Sequence, residues 1–247
     1  MFAIYSIFSM SKFSVMTWNV NGLLDKIKRG AVIRDIKRKG PAVALLQETH
    51  LMGNNCPHLA RQGYDRVYHA GFARGSRGTA ILLHKNFPLV ILGSKLDPQG
   101  RFAAVWGMLE GNPITFISVY APPQLTDLTL QALSAIMLSI PAGTLILGGD
   151  FNARLSGPGH APLHKTTSDK KFQAWVTTMN LCDAWRAWNP ASNQTTHTSA
   201  AHGSSSRLDY VLLPATDVSL SMGAEILPRG LSDHSPVIVV LGRPGSQ

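Results

Sequence analysis

"LSDHSPVIVV", residues 231–240, sets a polar triplet at the threshold of an apolar run. Val237, Ile238, Val239 and Val240 suit a final buried strand, because β-branched residues pack well on a pleated surface. Ser232, Asp233 and His234 sit just before it, and all three bond or titrate. The same juxtaposition recurs through the chain. Short apolar runs occur at "VMTWNVNG", "VALLQETH", "GTAILLHK", "FAAVWGMLEG", "ITFISVYAPP", "TLILGGDFNA", "RLDYVLLP" and "HSPVIVVL", each of strand length and bounded by turn residues. Asn19, Glu48 and Tyr120 leave three of these runs, Asp150 and Asn152 leave a fourth, and Asp209 and His234 stand at the start of the last two. If exits and starts run antiparallel, these groups converge on one rim.

Helical spacing appears between the runs. Leu133, Ile136, Met137 and Ile140 repeat after Thr126 or Asp127, either of which is a suitable cap. "DKIKRGAVIRDIKRKG" and "SDKKFQAWVTTMN" also read as helices, the first with a solvated basic face spanning Lys26 to Lys39. Alternating strands and helices would permit a parallel sheet of dinucleotide-binding type, but no Gly-rich loop opens a helix after the first strand. Continuous apolar runs fit two stacked sheets under covering helices instead. "SNQTTHTSAAHGSSSR" is small and polar, and reads as a surface loop or thin hairpin.

The chain has 247 residues, enough for one large domain, and a formal charge of +9, which attracts polyanions. No apolar stretch approaches the roughly 20 residues of a membrane span. The opening "MFAIYSIFSM" lacks a basic n-region and a convincing small-residue cleavage site, so residues 1–12 read as an extension or an extra edge strand, with a signal peptide as the lesser alternative. Residues 13–241 read as the domain, and 242–247 as a tail. Two cysteines, Cys56 and Cys182, make no disulfide framework and suit a reducing compartment.

Several carboxylates on one rim repel one another unless a cation or protons compensate them, and carboxylate, amide and water oxygens suit Mg2+, with Mn2+ able to substitute. Asp209 shares its period-2 alternation with Val211 and Leu213 and so points to the packed side, with His234 a natural partner. Trp175, Trp185 and Trp188 read as core or rim packing, and His160 and His164 form no coherent ligand set.

"WNVNG", "LLQETHL", "SVYAPP", "LILGGDFNA", "SRLDYVLL" and "LSDHSPVIV" resemble, in that order, the motifs of the endonuclease/exonuclease/phosphatase superfamily. They resemble most the apurinic-endonuclease-like domain that begins LINE (non-LTR) retrotransposon polyproteins. That resemblance implies an α/β (α+β) fold of DNase I type, a four-layer αββα sandwich of two mixed β-sheets flanked by helices. It implies Glu48 as metal ligand with Asn19 close by, and Asp233 supporting that corner or the metal. Asp150 would orient or deprotonate water, Asn152 would hold a phosphate oxygen, and Tyr120 would contact the phosphate. Asp209 would pair with His234, which donates to the scissile phosphate. Thr196, Arg207 and Ser232 would meet DNA or its phosphates, and His197, Thr198, His202 and Ser206 would belong to a target-recognition hairpin.

The activity implied is metal-dependent nicking of duplex DNA, priming reverse transcription at the target. A reverse transcriptase would follow in the full polyprotein, and the isolated domain would be a monomer, away from membranes, acting inside the cell on nuclear DNA. Four alternatives compete. Secreted deoxyribonucleases would more often show a signal peptide and a structural disulfide, and neither is convincing here. Phosphatases and sphingomyelinases of the superfamily suit a basic chain poorly. Abasic-site repair enzymes resemble "RLDYVLL" but carry a tryptophan before it, where this chain has Ser206. A DNA-binding pseudo-nuclease would have lost some of these polar residues, and none is missing.

Overall fold

The computed structural model describes residues 11–54, 56–156, 165–199 and 203–242. The expected extension up to residue 10, His160, His164, His202 and the last five residues lie outside them.

Two six-stranded mixed sheets stack face to face. In the first, β1 (Phe13–Asn19) runs parallel to β2 (Val43–Gln47) and antiparallel to β14 (Val237–Leu241). β4 (Thr79–His84) follows β2, and the edges are β3 (Tyr64–Ala70) and β13 (Ser221–Ile226). In the second, β6 (Phe102–Leu109), β7 (Asn112–Tyr120), β8 (Thr144–Asp150) and β12 (Asp209–Pro214) are flanked by β5 (Leu89–Leu96) and β9 (Leu181–Asp183). The fold is the four-layer sandwich the motifs imply.

Helices cover both outer faces. α1 (Lys26–Lys39) buries Val32, Ile33 and Ile36 against Met16, Trp18, Ala44 and Leu46. Asp25 caps it through Lys28 N at 2.6 Å, and Gly40 ends it in the left-handed region. Its remaining surface is basic, as the sequence suggests, and Asp35 pairs with Arg38 and Lys39 there. On the other side α2 (Thr126–Ser139) and α3 (Thr167–Thr178) pack Leu130, Leu133, Phe172 and Val176 onto Ile117, Leu147, Tyr210 and Leu212. α2 differs from expectation at its start. Leu125 occupies the cap position without a side-chain bond, and the Thr126 hydroxyl donates back to Pro123 O at 3.2 Å. The preceding Pro-rich turn already fixes the chain's direction there. The short α4 (Ala184–Trp188) buries Trp185, while Trp175 is half-buried and Trp188 is exposed, its Nε1 donating to Ser221 Oγ at 3.0 Å.

Strand alternation sends every second side chain between the sheets. Phe13 and Val15 in β1, Val43 and Leu45 in β2, Phe116 in β7, Ile146 in β8, and Val211 and Leu213 in β12 fill that space. Toward one end these same inward rows turn polar. Thr17, Gln47 and Ser118 are fully buried and bonded together, Thr17 Oγ1 to Gln47 Oε1 at 3.2 Å and Gln47 Nε2 to Ser118 Oγ at 3.1 Å. One step further lie Asn19, Tyr120 and Asp150. The rows that build the core therefore deliver the functional groups to its rim.

Candidate active site

Register brings the acidic groups together. β8 and β12 run antiparallel with Asp150 directly opposite Asp209, and Asp150 lies beside Tyr120 across the parallel β7–β8 pair. Asp150 and Asp209 are both fully buried. Asn19, also fully buried, links the two sheets through one amide: Nδ2 donates to Asp150 Oδ2 and to Glu48 Oε1, each at 2.8 Å.

His234 closes the cluster. Its Nδ1 bonds Asp209 Oδ2 at 2.8 Å, and its Nε2 lies 3.9 Å from Asp150 Oδ2. A carboxylate only accepts, so Nδ1 carries the proton. Burial alone would lower the imidazole's affinity for a second proton. The facing carboxylates, Asp209 first, outweigh it and push the pKa up to about 10. His234 is thus a cation near neutrality, and Trp18 Nε1 holds its backbone by donating to His234 O at 3.1 Å. Asp150 is raised instead, chiefly by burial and then by the neighbouring Asp209 charge, against the opposing pull of His234 and the Asn152 and Asn19 bonds. One cation among these carboxylates leaves the cluster electron-rich.

Glu48 occupies a different environment. Its side chain is 22% exposed, so one carboxylate faces solvent beside the buried Asn19. Burial would raise its pKa, but bonds from His50, Asn19 and Tyr120 outweigh burial and hold the carboxyl below its usual range. Tyr120 is held neutral by burial and the adjacent charges of Glu48 and Asp150. An ionised carboxylate with an amide close by is a donor set for a hard cation, which takes few protein ligands and completes its shell with water and phosphate oxygens. Among the described residues, the clusters of three His, Cys, Asp or Glu side chains are Asp150–Asp209–His234 and His197–Asp233–His234, and Glu48 is in neither.

Other expected residues sit differently. Asn152 lies at the rim, its amide donating to Ala121 O at 3.2 Å. Ser232 Oγ donates to Asn19 O at 2.7 Å, and Asp233 accepts from Asn21 Nδ2 at 3.1 Å, so both brace the corner. Thr196, expected at the DNA, is buried, and its hydroxyl accepts from Leu208 N and Asp209 N at 3.0 and 3.1 Å. Arg207, also expected at the DNA, is turned inward. It pairs with Asp183 at 2.5 Å and stacks over Trp185 and Tyr210, where an ion pair and two rings compensate its desolvation. His197–Ser199 (β10) and Ser204–Ser206 (β11) form the thin hairpin, with Gly203 in the left-handed region. Its Thr198 and Ser205 hydroxyls lie 3.1 Å apart.

The sequence reading passed over His50, which bonds Glu48 Oε2 at 3.0 Å, and Asn21, whose N–H fixes Asn19 Oδ1 at 3.0 Å. Both stand inside quoted motifs, two residues beyond a predicted site residue, which was the available signal.

The family model described as "Endonuclease/Exonuclease/phosphatase family" matches residues 16–234. This chain belongs to that family. Its members' fold recurs here in solved relatives: an AP endonuclease from Leishmania major (19% identity, TM-score 0.75, covering 94% of this chain and 88% of that one) and the Xenopus laevis APE2 catalytic domain (18%, 0.73, 95% and 94%). A curated relative, the transposon TX1 uncharacterized 149 kDa protein of Xenopus laevis, is 26% identical over 230 residues. That alignment covers 91% of this chain but only 18% of the relative's length. No described helix is long and apolar enough to cross a membrane.

Proposed function

We propose that this chain is a divalent-metal-dependent endonuclease that hydrolyses phosphodiester bonds in duplex DNA, with Mg2+ as the working ion. The observation that carries the reading is Asp150 beside Asp209 and His234 on one rim, joined to Glu48 through the Asn19 amide.

When bound, the cation supplies positive charge for the phosphate and its leaving oxygen. The chain's own groups do the rest. Asp209 fixes the tautomer and charge of His234, whose Nε2–H then donates to a non-bridging phosphate oxygen as negative charge builds there. Asp150, anchored by the Asn19 amide and by Asn152 N at 2.9 Å, orients a water in line with phosphorus and accepts its proton. Its raised pKa makes it a stronger base than an ordinary carboxylate. Asn152 holds a second phosphate oxygen, and neutral Tyr120 donates beside it.

The transposon relative and the basic charge support a role in retrotransposition, nicking target DNA inside the nucleus so that a linked reverse transcriptase can prime there. A second reading, cleavage at abasic sites, has the AP endonuclease relatives in its favour and Ser206 against it. The test is to incubate protein and Mg2+ with supercoiled plasmid and, separately, with an abasic oligonucleotide. Nicking of intact plasmid that chelator or Glu48→Ala abolishes is expected. Cleavage confined to the abasic strand would favour repair, and cleavage undiminished by chelator would overturn the metal assignment.

A further inference from the structure

The hairpin that begins at His197 does more than lie beside the catalytic corner. His197 and His234 face each other in an isolated antiparallel bridge, and their rings sit 4.5 Å apart at 41°. Ser235 N donates to Thr196 O at 2.7 Å, locking the two segments together. His197 Nε2 lies 3.8 Å from Asp233 Oδ2, and one ligand atom each from His197, Asp233 and His234 fall within 4.8 Å of one another.

We propose that His197, Asp233 and His234 form a binding site for an imidazole-preferring divalent cation such as Zn2+, separate from the site at Glu48, and that its occupation arrests the nuclease.

Donor chemistry sets the preference. Two imidazoles and one carboxylate suit a late transition metal, whereas Mg2+ takes oxygen ligands. Geometry permits it. Bonds of about 2.0–2.1 Å in a tetrahedral site place ligand atoms roughly 3.4 Å apart, so side-chain rotation has to close the 3.8 Å between His197 Nε2 and Asp233 Oδ2 and draw in His234 from within the 4.8 Å group. Asp233 and His197 have that freedom, at 43% and 24% side-chain exposure. The buried Asp209 already bonds His234 Nδ1, which leaves Nε2 to ligate and reproduces the carboxylate–imidazole–metal arrangement that orients such ligands.

Binding forms three metal–ligand bonds and breaks one N–H bond. The Nε2 proton of His234 leaves to solvent, and no electron is transferred. A metallated His234 has no proton to give a phosphate oxygen. Inhibition therefore follows from the same atom the nuclease reading uses, and that consequence rests on that reading, while the binding itself does not. Extra Mg2+ does not reverse it, because the two ions use different ligands.

The test is titration of the whole protein with Zn2+, and with Co2+ for its visible spectrum, in excess Mg2+. Wild type, Glu48→Gln and Cys56→Ser are compared with His197→Phe and Asp233→Asn, each first checked for an intact unfolding transition. Cys56 is included because its Sγ lies 3.2 Å from His69 Nδ1, the other soft pair in the described structure. One tightly held Zn2+ and a four-coordinate Co2+ spectrum are expected in the first three. His197→Phe and Asp233→Asn should bind at least about tenfold more weakly. In plasmid nicking, each scaled to its own zinc-free rate, the Zn2+ midpoint should rise by a similar factor in both variants and be insensitive to Mg2+. Unchanged binding in the two folded variants, loss of binding in Glu48→Gln or Cys56→Ser, or no bound Zn2+ in wild type would each overturn the site. Zinc binding as described by a wild type that never nicks would instead overturn the nuclease reading alone.

Discussion

His234 carries a proton because two buried carboxylates face it, and that dependence is measurable as stability. Its pKa is raised from an ordinary value near 6.5 to about 10. A group whose folded pKa is raised contributes stability fully below the unfolded value and loses it as pH rises through the folded one. Wild type should therefore exceed Asp209→Asn in urea midpoint most near pH 6.5 and lose that margin toward pH 10. Asp150, raised to about 7, titrates at the lower end of this window, so the loss of the margin is read on the alkaline side of it. A margin that stays flat would show that Asp209 does not hold the His234 proton. Backbone strain gives a second residue-scale reading. Glu48 and Asn152 adopt φ of 50° and 47°, with Asn21 and His50 also in the left-handed region. Such conformations cost roughly 1–2 kcal/mol each for a residue with a Cβ, and they cluster where function fixes the backbone. Glu48→Ala and Glu48→Gly both remove the carboxylate, but only Gly relieves the strain. The Gly variant should be the more stable by about 1 kcal/mol in chemical denaturation, and equal midpoints would show the left-handed turn costs nothing.

At the scale of elements, β8 shows why an acidic residue after two glycines need not be a turn. Gly148 and Gly149 lie inside the strand and let it pass close to its neighbours. A Cβ on Gly149 would meet Val119 O at 2.0 Å, whereas one on Gly148 would meet the far end of the Leu45 side chain at 2.5 Å. Gly149→Ala should lose about 3 kcal/mol or more and Gly148→Ala less, since only a side chain can yield; the reverse order in thermal unfolding would contradict this packing. The strands legible in the sequence were the eight interior ones of the two sheets. Those it left unread, β3, β5, β9 and β13, are the four edges. Edge strands bury one face at most, so β5 alternates exposed Val90 and Leu92 with half-buried residues and carries no continuous apolar signal. Likewise the convergence of the candidate residues at interior strand ends is legible in the sequence, but the inward turn of Arg207 and the burial of Thr196 are not. Whether a polar side chain turns outward depends on partners such as Asp183, far away in sequence. The hairpin belongs to this scale too. Because His197 packs on His234, replacing the whole of it would disturb the chemistry, so the informative change is residues 199–204 alone, exchanged for a short Gly-Ser turn. Small polar residues there suit a narrow groove and offer little base readout. Nick positions on a long duplex should redistribute while metal-dependent cleavage persists; an unchanged pattern would leave the tip without a part in target choice.

Across the whole molecule, the proposed function requires the charge of +9 to be brought to bear on DNA at a rim lined with carboxylates, which by themselves repel phosphate. Cations beside the rim resolve the conflict. Most of α1's basic residues face solvent on the outer layer, but Lys28 reaches back, its Nζ donating to Asn21 O at 2.6 Å. Its pKa is lowered, mainly by burial, against the attraction of Asp233, Asp25 and Glu48. That places it beside the Asp233 and Glu48 corner, where on the proposed reading a DNA backbone would pass. Each phosphate neutralised by such a lysine releases condensed counterions, and log K falls with log salt by about 0.9 per contact. Binding to duplex should weaken steeply with salt, and Lys28→Ala should reduce the slope by about 1 while weakening all sequences alike. Arg34→Ala, on the solvent side of the same helix and farther along it, serves as the control and should leave the slope nearly unchanged. Equal slopes for wild type and Lys28→Ala, measured by anisotropy in Ca2+ to prevent cleavage, would remove Lys28 from the docking face and place the salt-sensitive contacts elsewhere on the basic surface.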